Sequence, residues 1–250
     1  MYLIGDIGNT ETKICLFDKK NKLTKKIVIK SNLINKKFIS KKLLFLKSKR
    51  KLIKNTIFSS VVPNIYKIIK SFLTYKIKIK CNELKDFKLN KIINIKVDKN
   101  QIGSDRLANA ISLSNKINNF IIVDFGTATT FDVIIKKNYL GGIIAPGVNL
   151  SLSTLISKAS LIPNINLKGI NSILGKNTQN AVRSGFYWGY VGLIEKIINK
   201  ISHQTKKKYK IVFTGGLSYL FKKPITKKVI IDKDITIKGL LKIVQTIKNK

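Results

Sequence analysis

The sequence is short of several residue types, and each shortage removes a class of function. Two cysteines occur in 250 residues, Cys15 and Cys81, each inside an apolar segment. Two thiols so placed give no disulfide framework and no metal-type spacing, and they read as reduced, buried side chains. No apolar run approaches the ~18 residues that a membrane-crossing helix needs. Asp6 falls ahead of any hydrophobic stretch suited to a signal peptide, so a cytoplasmic protein with no membrane contact is expected. The single histidine, His203, lies in a lysine-rich helix end and reads as a solvated surface residue. Apolar residues make up 44% of the chain, enough to build a core.

Arginine is also scarce. Of 49 basic residues only Arg50, Arg106 and Arg183 are arginine, and the formal net charge is +37. A charge of that size suggests nucleic acid, but the lysines are dispersed in pairs such as Lys19-Lys20, Lys41-Lys42 and Lys222-Lys223. No basic run carries interleaved aromatics for base stacking. Lysine, isoleucine and asparagine are what AT-rich codons encode, so genome composition accounts for the bias. Loose, salt-sensitive binding to polyanions would be a side effect, and no specific nucleic-acid partner is expected.

Carboxylates are few beside the 49 basic residues, at twelve, and their placement is the first positive signal. Five of them, Asp6, Glu11, Asp105, Asp124 and Asp132, fall inside three glycine-containing stretches. Residues 5–16 read G-D-I-G-N-T-E-T-K-I-C-L, and residues 123–134 read V-D-F-G-T-A-T-T-F-D-V-I. In both, an apolar run ends in Asp-x-Gly, a stretch rich in threonine follows, and apolar residues resume. A period-two pattern on both sides of such a turn predicts a β-hairpin.

The rest of the chain falls into two similar series. Tyr2–Ile7, Lys13–Asp18 and Thr24–Ile29 are expected as strands. A helix over Asn35–Ser48, a strand over Thr56–Val62, a helix over Tyr66–Thr74 and a strand over Ile77–Cys81 follow. A helix starting near Asp105 leads to a second set: strands Phe120–Asp124, Thr130–Lys136 and Asn138–Ile144, then a helix over Leu150–Ile156. A long helix over about Gln179–Ile201, a strand over Lys210–Thr214 ending in Gly215-Gly216, a strand over Val229–Asp232 and a helix over Ile237–Lys248 complete it. Three meandering strands followed by alternating helices and strands give a mixed sheet with helices on its faces. The expected fold is therefore α/β, two duplicated lobes with a cleft between them, divided as 1–103 and 104–250 with the boundary near 103–118.

The hairpins suit a polyphosphate. Gly8 and Gly126 lack a β-carbon, so backbone N–H groups can approach phosphate oxygens closely. Asn9, Thr10, Thr12 and Thr127 add neutral donors, and Lys13 would counter charge on a β- or γ-phosphate. Asp6 would engage Mg²⁺ through water or orient one. The Gly-Gly turn after Val212-Phe213-Thr214 lets backbone lie flat against a purine or ribose. The plainer alternative is two ordinary hairpins with Asp/Gly turns, and the repetition in two similar halves argues against it. On the long helix, Tyr187, Trp188 and Tyr190 read as core or dimer packing, and an apolar face of Tyr187, Val191, Ile194, Ile197 and Ile198 hints at a homodimer.

Hairpin, hairpin and Gly-Gly turn in this order resemble the phosphate 1, phosphate 2 and adenosine elements of the acetate kinase/sugar kinase/heat-shock/actin superfamily, whose ribonuclease H-like lobes fit the expected fold. Within it, Asp6-Ile-Gly-Asn-Thr10, Gly103-Ser-Asp-Arg106, Asp124-Phe-Gly-Thr-Ala128 and Gly142-Ile-Ile-Ala-Pro-Gly147 resemble type III pantothenate kinase. So do Asn177-Thr178, Ser184-Gly185 and Gly189, and the likeness runs in order from residue 2 to about 220.

The resemblance implies ATP-dependent phosphorylation of pantothenate, the first step of coenzyme A biosynthesis. It implies Asp105 as the catalytic base, with Arg106 pairing with the substrate carboxylate or orienting Asp105. ATP would be held by Asp6, Ile7, Gly8, Asn9, Thr10, Glu11, Thr12, Lys13 and Thr127. Pantothenate would be held by Gly103, Ser104, Asp105, Arg106 and Thr178, the last reaching across from the partner subunit of a homodimer. Asp124 would bind a monovalent cation, K⁺ or NH₄⁺, with Mg²⁺ arriving on ATP. The sequence departs from the family in residues 95–102, I-K-V-D-K-N-Q-I, where a substrate-contacting tyrosine is usual, and in Glu11, an added negative charge in the phosphate loop. Two other functions fit the same motifs: a kinase of the superfamily with another small acceptor, and a nucleotide-binding transcriptional accessory protein.

Overall fold

A computed structural model of the chain describes residues 1–248. In chain order, β1 (Tyr2–Ile7), β2 (Glu11–Phe17) and β3 (Leu23–Lys30) are followed by α1 (Lys36–Leu43), α2 (Leu46–Lys49), β4 (Asn55–Ser60) and α3 (Pro63–Ser71). A two-residue strand, β5 (Asn94–Ile95), precedes α4 (Ser104–Leu113). The second series is β6 (Asn119–Phe125), β7 (Ala128–Ile135), β8 (Asn138–Pro146), α5 (Val148–Lys158) and α6 (Thr178–Thr205). It continues with β9 (Lys210–Gly215), α7 (Ser218–Lys222), β10 (Val229–Ile231) and α8 (Ile235–Lys248).

The chain forms two units, one of Met1–Ser114 with Asp234–Lys250 and one of Asn115–Lys233. Helices α4 and α8, however, belong to the first unit, whereas the expected split at 103/104 put both in the second. The reason is packing. A β-carbon at Gly239 of α8 would fall on the Ala108 carbonyl of α4, so the two helices lie backbone against backbone. Thr236 of α8 also donates to Asn109 of α4 at 2.7 Å.

The first unit's sheet runs β3-β2-β1-β4, with β1 and β2 antiparallel, β2 and β3 antiparallel, and β4 parallel to β1. In the second unit β8-β7-β6-β9 repeats that order and sense, and β10 extends it. The duplication inferred from the hairpins is therefore a duplication of sheet topology. Alternation along the strands decides what each face buries. Leu3, Ile7, Ile14, Leu16 and Phe58 turn to one side, where Ile39, Leu43, Ile69 and Leu73 cover them. In the second unit Ile121, Val123, Phe131 and Phe213 pack under Tyr187, Val191, Ile194 and Ile198 of α6. Phe125 stacks on Phe221 with ring centroids 5.2 Å apart, and Phe213 meets Phe125 edge-on at 5.1 Å. Each fully buried side chain of this size contributes about 1.5–3 kcal/mol, so the two clusters fix the strand ends that carry the carboxylates.

One expected element is absent from its place. Lys76–Cys81 alternates lysine with apolar residues, which mimics a strand. Instead, residues Phe72–Ile77 form a wide π-type turn closed by Lys78 in the left-handed region, at φ 61°. The segment that follows is tied to β4 largely through side chains: Thr56 Oγ1 donates to the Lys80 carbonyl at 2.5 Å, and the Asn82 amide donates to the Thr56 carbonyl at 3.2 Å. Its alternation is used all the same, since Ile77, Ile79 and Cys81 are buried in the first unit's core. The expected helix over Asn35–Ser48 is likewise two pieces, α1 and α2.

Candidate active site

In the first hairpin the strand register sets Asp6 between two neighbours, Lys13 on β2 and Ser59 on β4. Asp6 is half-buried, Ile7 is buried, and Asn9, Thr10 and Glu11 are exposed at the tip. The Gly8 N–H donates to the Glu11 carbonyl at 3.0 Å and closes the turn. Ser31 then braces it: its hydroxyl donates to the Gly8 carbonyl at 2.6 Å, and its N–H donates to the Thr10 carbonyl at 2.9 Å. Thr12 is fully buried and its hydroxyl shares a 3.0 Å hydrogen bond with Ser31, so it supports the loop from inside. Asn9, Thr10 and the loop N–H groups are what this turn offers an anion.

The second hairpin repeats the geometry with different neighbours. Asp124, half-buried, lies in register between Thr130 on β7 and Thr214 on β9. A hydroxyl on the parallel neighbour strand thus stands beside each aspartate, Ser59 with Asp6 and Thr214 with Asp124. The loop is tighter, closed from the Gly126 N–H to the Ala128 carbonyl at 3.1 Å, with Gly126 and Thr127 exposed. Gly215 adopts φ +83°, and a β-carbon there would sit 2.5 Å from the Phe125 carbonyl oxygen and 2.7 Å from Asp124 Oδ1. The Gly-Gly turn and the acidic hairpin are therefore one packed feature. Carboxylate and hydroxyl donors are an all-oxygen set, which suits a hard cation such as K⁺ or Mg²⁺.

Asp105 occupies the first turn of α4, where a negative charge is favoured by the helix dipole. A β-carbon at Gly103 would lie 2.5 Å from Asp105 Oδ1, so the glycine of the Gly-x-Asp-Arg stretch is the space into which the carboxylate folds. Its Oδ1 accepts the Arg106 N–H at 2.7 Å. Burial pushes the Asp105 carboxyl above the ordinary range, and the N–H and charge of Arg106, followed by Lys85, pull it back. Asp105 is half-buried, and a carboxylate raised in this way is a stronger base than a fully solvated one.

Thr178 stands exposed at the start of α6, where the Asn177 side chain caps the helix by accepting the Asn180 N–H at 2.9 Å. His203 is exposed, while Tyr187 is buried and meets Trp188 edge-on at 5.1 Å. Cys15 and Cys81 are buried free thiols. Three residues around the site carried no local signal in the sequence. Ser31 braces the phosphate loop from 21 positions beyond Thr10. Ser59 is fully buried beside Asp6, and its hydroxyl has no hydrogen-bond partner among the described residues. Glu83 accepts the Ser104 hydroxyl at 2.5 Å. Only the sheet register and the packing of α4 bring them near.

Two duplicated ribonuclease H-like units, each with an aspartate near the end of its first strand beside a glycine turn, define the actin-like fold class. Solved structures agree on the fold. A Campylobacter jejuni structure described as a "conserved putative Baf family transcriptional activator" matches with TM-score 0.63 and 20% identity, over 99% of this chain and 100% of that one. A Sinorhizobium meliloti structure described as a "putative 2-dehydro-3-deoxygalactonokinase" matches with TM-score 0.59 and 9% identity, over 99% of both chains.

Within that class the sequence is decisive. Residues 2–200 match the model of the family described as type III pantothenate kinase. A type III pantothenate kinase of Pelagibacter ubique is 56% identical over 248 residues, covering 99% of this chain and 100% of that protein. Another, from Finegoldia magna, is 40% identical over 197 residues, covering 75% and 74%. The chain belongs to the type III pantothenate kinase family.

Proposed function

We propose that this protein transfers the γ-phosphoryl group of ATP to the primary hydroxyl of pantothenate, giving 4′-phosphopantothenate in the first step of coenzyme A biosynthesis. The observation that carries the reading is family membership across nearly the whole chain, joined to a half-buried carboxylate, Asp105, held at a helix N-terminus in the family's Gly-x-Asp-Arg setting. Phosphoryl transfer asks for positioning, charge neutralisation and an acceptor for the alcohol proton. Asp105 takes that proton. Asn9 and Thr10 hold phosphate oxygens, Gly8 leaves the backbone room for their approach, and Lys13 offsets their charge. Arg106, on the same helical turn, pairs with the substrate carboxylate or keeps Asp105 in place.

Asp124, with hydroxyl-bearing neighbours on both adjacent strands, is the residue for a monovalent cation, and Asp6 is the one for Mg²⁺ brought by ATP. When bound, these ions neutralise charge on the β- and γ-phosphates. Thr127 touches ATP, and Thr178 completes the pantothenate site of the partner subunit in a homodimer. The dimer reading is supported by α6, where Gly185, Gly189 and Gly192 leave open space at the surface. It is supported further by the exposed Ile144 and Leu150. The protein is expected to work in the cytoplasm, and no helix among the described residues is long and apolar enough to cross a membrane. ATP consumption measured with and without pantothenate, in potassium and in sodium buffers, tests the reading. Pantothenate-dependent turnover that is strong in potassium and weak in sodium is expected. ATP turnover indifferent to pantothenate, or a preference for another hydroxy acid, would refute it.

A further inference from the structure

Asp105 is the residue on which the chemistry depends, and the start of its helix has to be fixed to the sheet. The residue before it does that. Ser104 is buried, and its hydroxyl donates to Glu83 Oε1 at 2.5 Å, across 21 positions of sequence. Glu83 is held from several sides. Its Oε2 accepts the Lys85 N–H at 2.5 Å, and its own N–H donates to Asp86 Oδ2 at 2.9 Å, a reciprocal capping box on the short turn Leu84–Asp86. Glu83 also bridges Phe58, and the Phe58 N–H donates to the Asn82 carbonyl at 3.0 Å, which pins this turn to β4.

A second tie runs through lysines. Lys85 Nζ donates to the Asn100 carbonyl at 3.0 Å, and Lys99 Nζ donates to the Lys85 carbonyl at 2.7 Å. The loop that leads into Gly103 is therefore latched to the same turn that holds Ser104. Lys85 is also one of the positive charges acting on Asp105. Sheet strand, Glu83 turn and helix start form one connected chain of bonds ending beside the catalytic carboxylate.

We infer that Glu83 is a positioning residue for the kinase reaction, fixing the α4 N-terminus through Ser104 so that Asp105 meets the substrate hydroxyl in line. This rests on Asp105 being the base, as proposed above. Both oxygens of Glu83 are occupied, so it does not itself exchange protons with substrate. Its loss lets the helix start shift, and displacement of a catalytic group on the order of 1 Å can cost about 10²-fold in rate. Such a loss falls on kcat and on KM for pantothenate and spares KM for ATP, because the groups proposed to hold ATP lie on the two hairpins and not on α4.

The test compares Glu83→Ala, Glu83→Gln, Ser104→Ala, the Glu83→Ala/Ser104→Ala double variant and Asp105→Asn in purified full-length protein, by initial rates against ATP and against pantothenate and by thermal melting. Expected are losses in kcat of about 10-fold or more for Glu83→Ala and Ser104→Ala, with KM for ATP unchanged, and a double variant no worse than the poorer single one. Glu83→Gln keeps an acceptor for Ser104 and should recover part of the rate; it also serves if Glu83→Ala does not fold. Wild-type kcat in folded Ser104→Ala, or in folded Glu83→Ala, together with inactive Asp105→Asn, would overturn the inference alone. Multiplying losses in the double variant would do the same. Full activity in Asp105→Asn would overturn the reading of Asp105, and the inference with it.

Discussion

Replacing Gly215 by alanine tests whether the Gly-Gly turn and the Asp124 hairpin are one packed unit. Two costs arise. Gly215 has φ +83°, and a left-handed backbone costs a residue with a β-carbon about 1–2 kcal/mol. The new methyl would also lie 2.5 Å from the Phe125 carbonyl oxygen and 2.7 Å from Asp124 Oδ1, and crowding of a filled site costs about 1–3 kcal/mol. The sum is about 2–5 kcal/mol, and at about 2–4 °C per kcal/mol for a chain of this size the melting temperature should fall by on the order of 10 °C. Because relief of the clash must move either strand or carboxylate, KM for ATP and the response to potassium should worsen as well. Gly216 is the control: a β-carbon there meets nothing within 4 Å, so Gly216→Ala should melt close to wild type. The assay is thermal unfolding of the three proteins, with initial rates against ATP. An unshifted melting temperature for Gly215→Ala, or equal losses for both variants, would refute the reasoning.

Asp105→Asn should be more stable than wild type at neutral pH. The folded pKa of Asp105 is raised, so its stabilising contribution is present at low pH and lost as pH rises through the folded value. The variant's advantage in melting temperature should therefore be present at pH 7.5 and fade as pH falls toward the ordinary carboxylate range of about 4; a lower melting temperature at pH 7.5 would contradict it. Burial pushes the Cys15 thiol up to about 11 and the Cys81 thiol up to about 12, so neither should react with a disulfide reagent at pH 8 until the protein is denatured. Ser31→Ala leaves the buried Thr12 hydroxyl and the Gly8 carbonyl without that partner, a loss of about 1–3 kcal/mol. Its KM for ATP should rise, while KM for pantothenate should hold.

Much of the site was legible because its parts are local. Asp6-x-Gly and Asp124-x-Gly each sit where an apolar alternation ends, and that pattern fixes both strand and turn within a dozen residues. Gly103 and Asp105 form another local unit, explained in three dimensions by the carboxylate folding over the glycine. The failures come from elsewhere. Residues 76–81 alternate as a strand does, but side chains of Thr56 and Asn82 take over most of the tie to β4, and the ladder does not form. The 103/104 division did not include the return of α8 onto α4, a contact spanning some 130 positions that Gly239 permits and Thr236–Asn109 reinforces. Ser31, Ser59 and Glu83 were illegible for the same reason: each acquires its neighbour through register or packing, and none belongs to a motif. Thr12 reads as a phosphate donor by residue type, whereas its hydroxyl faces inward onto Ser31.

The most direct test of the central claim is transfer of labelled γ-phosphate from ATP to pantothenate by wild type and Asp105→Asn, run side by side in potassium buffer with folding verified. Wild type should give labelled 4′-phosphopantothenate, and the variant a rate lower by roughly 10²-fold or more at unchanged KM for ATP. Equal rates for the two proteins, or no labelled pantothenate from either, would contradict that claim.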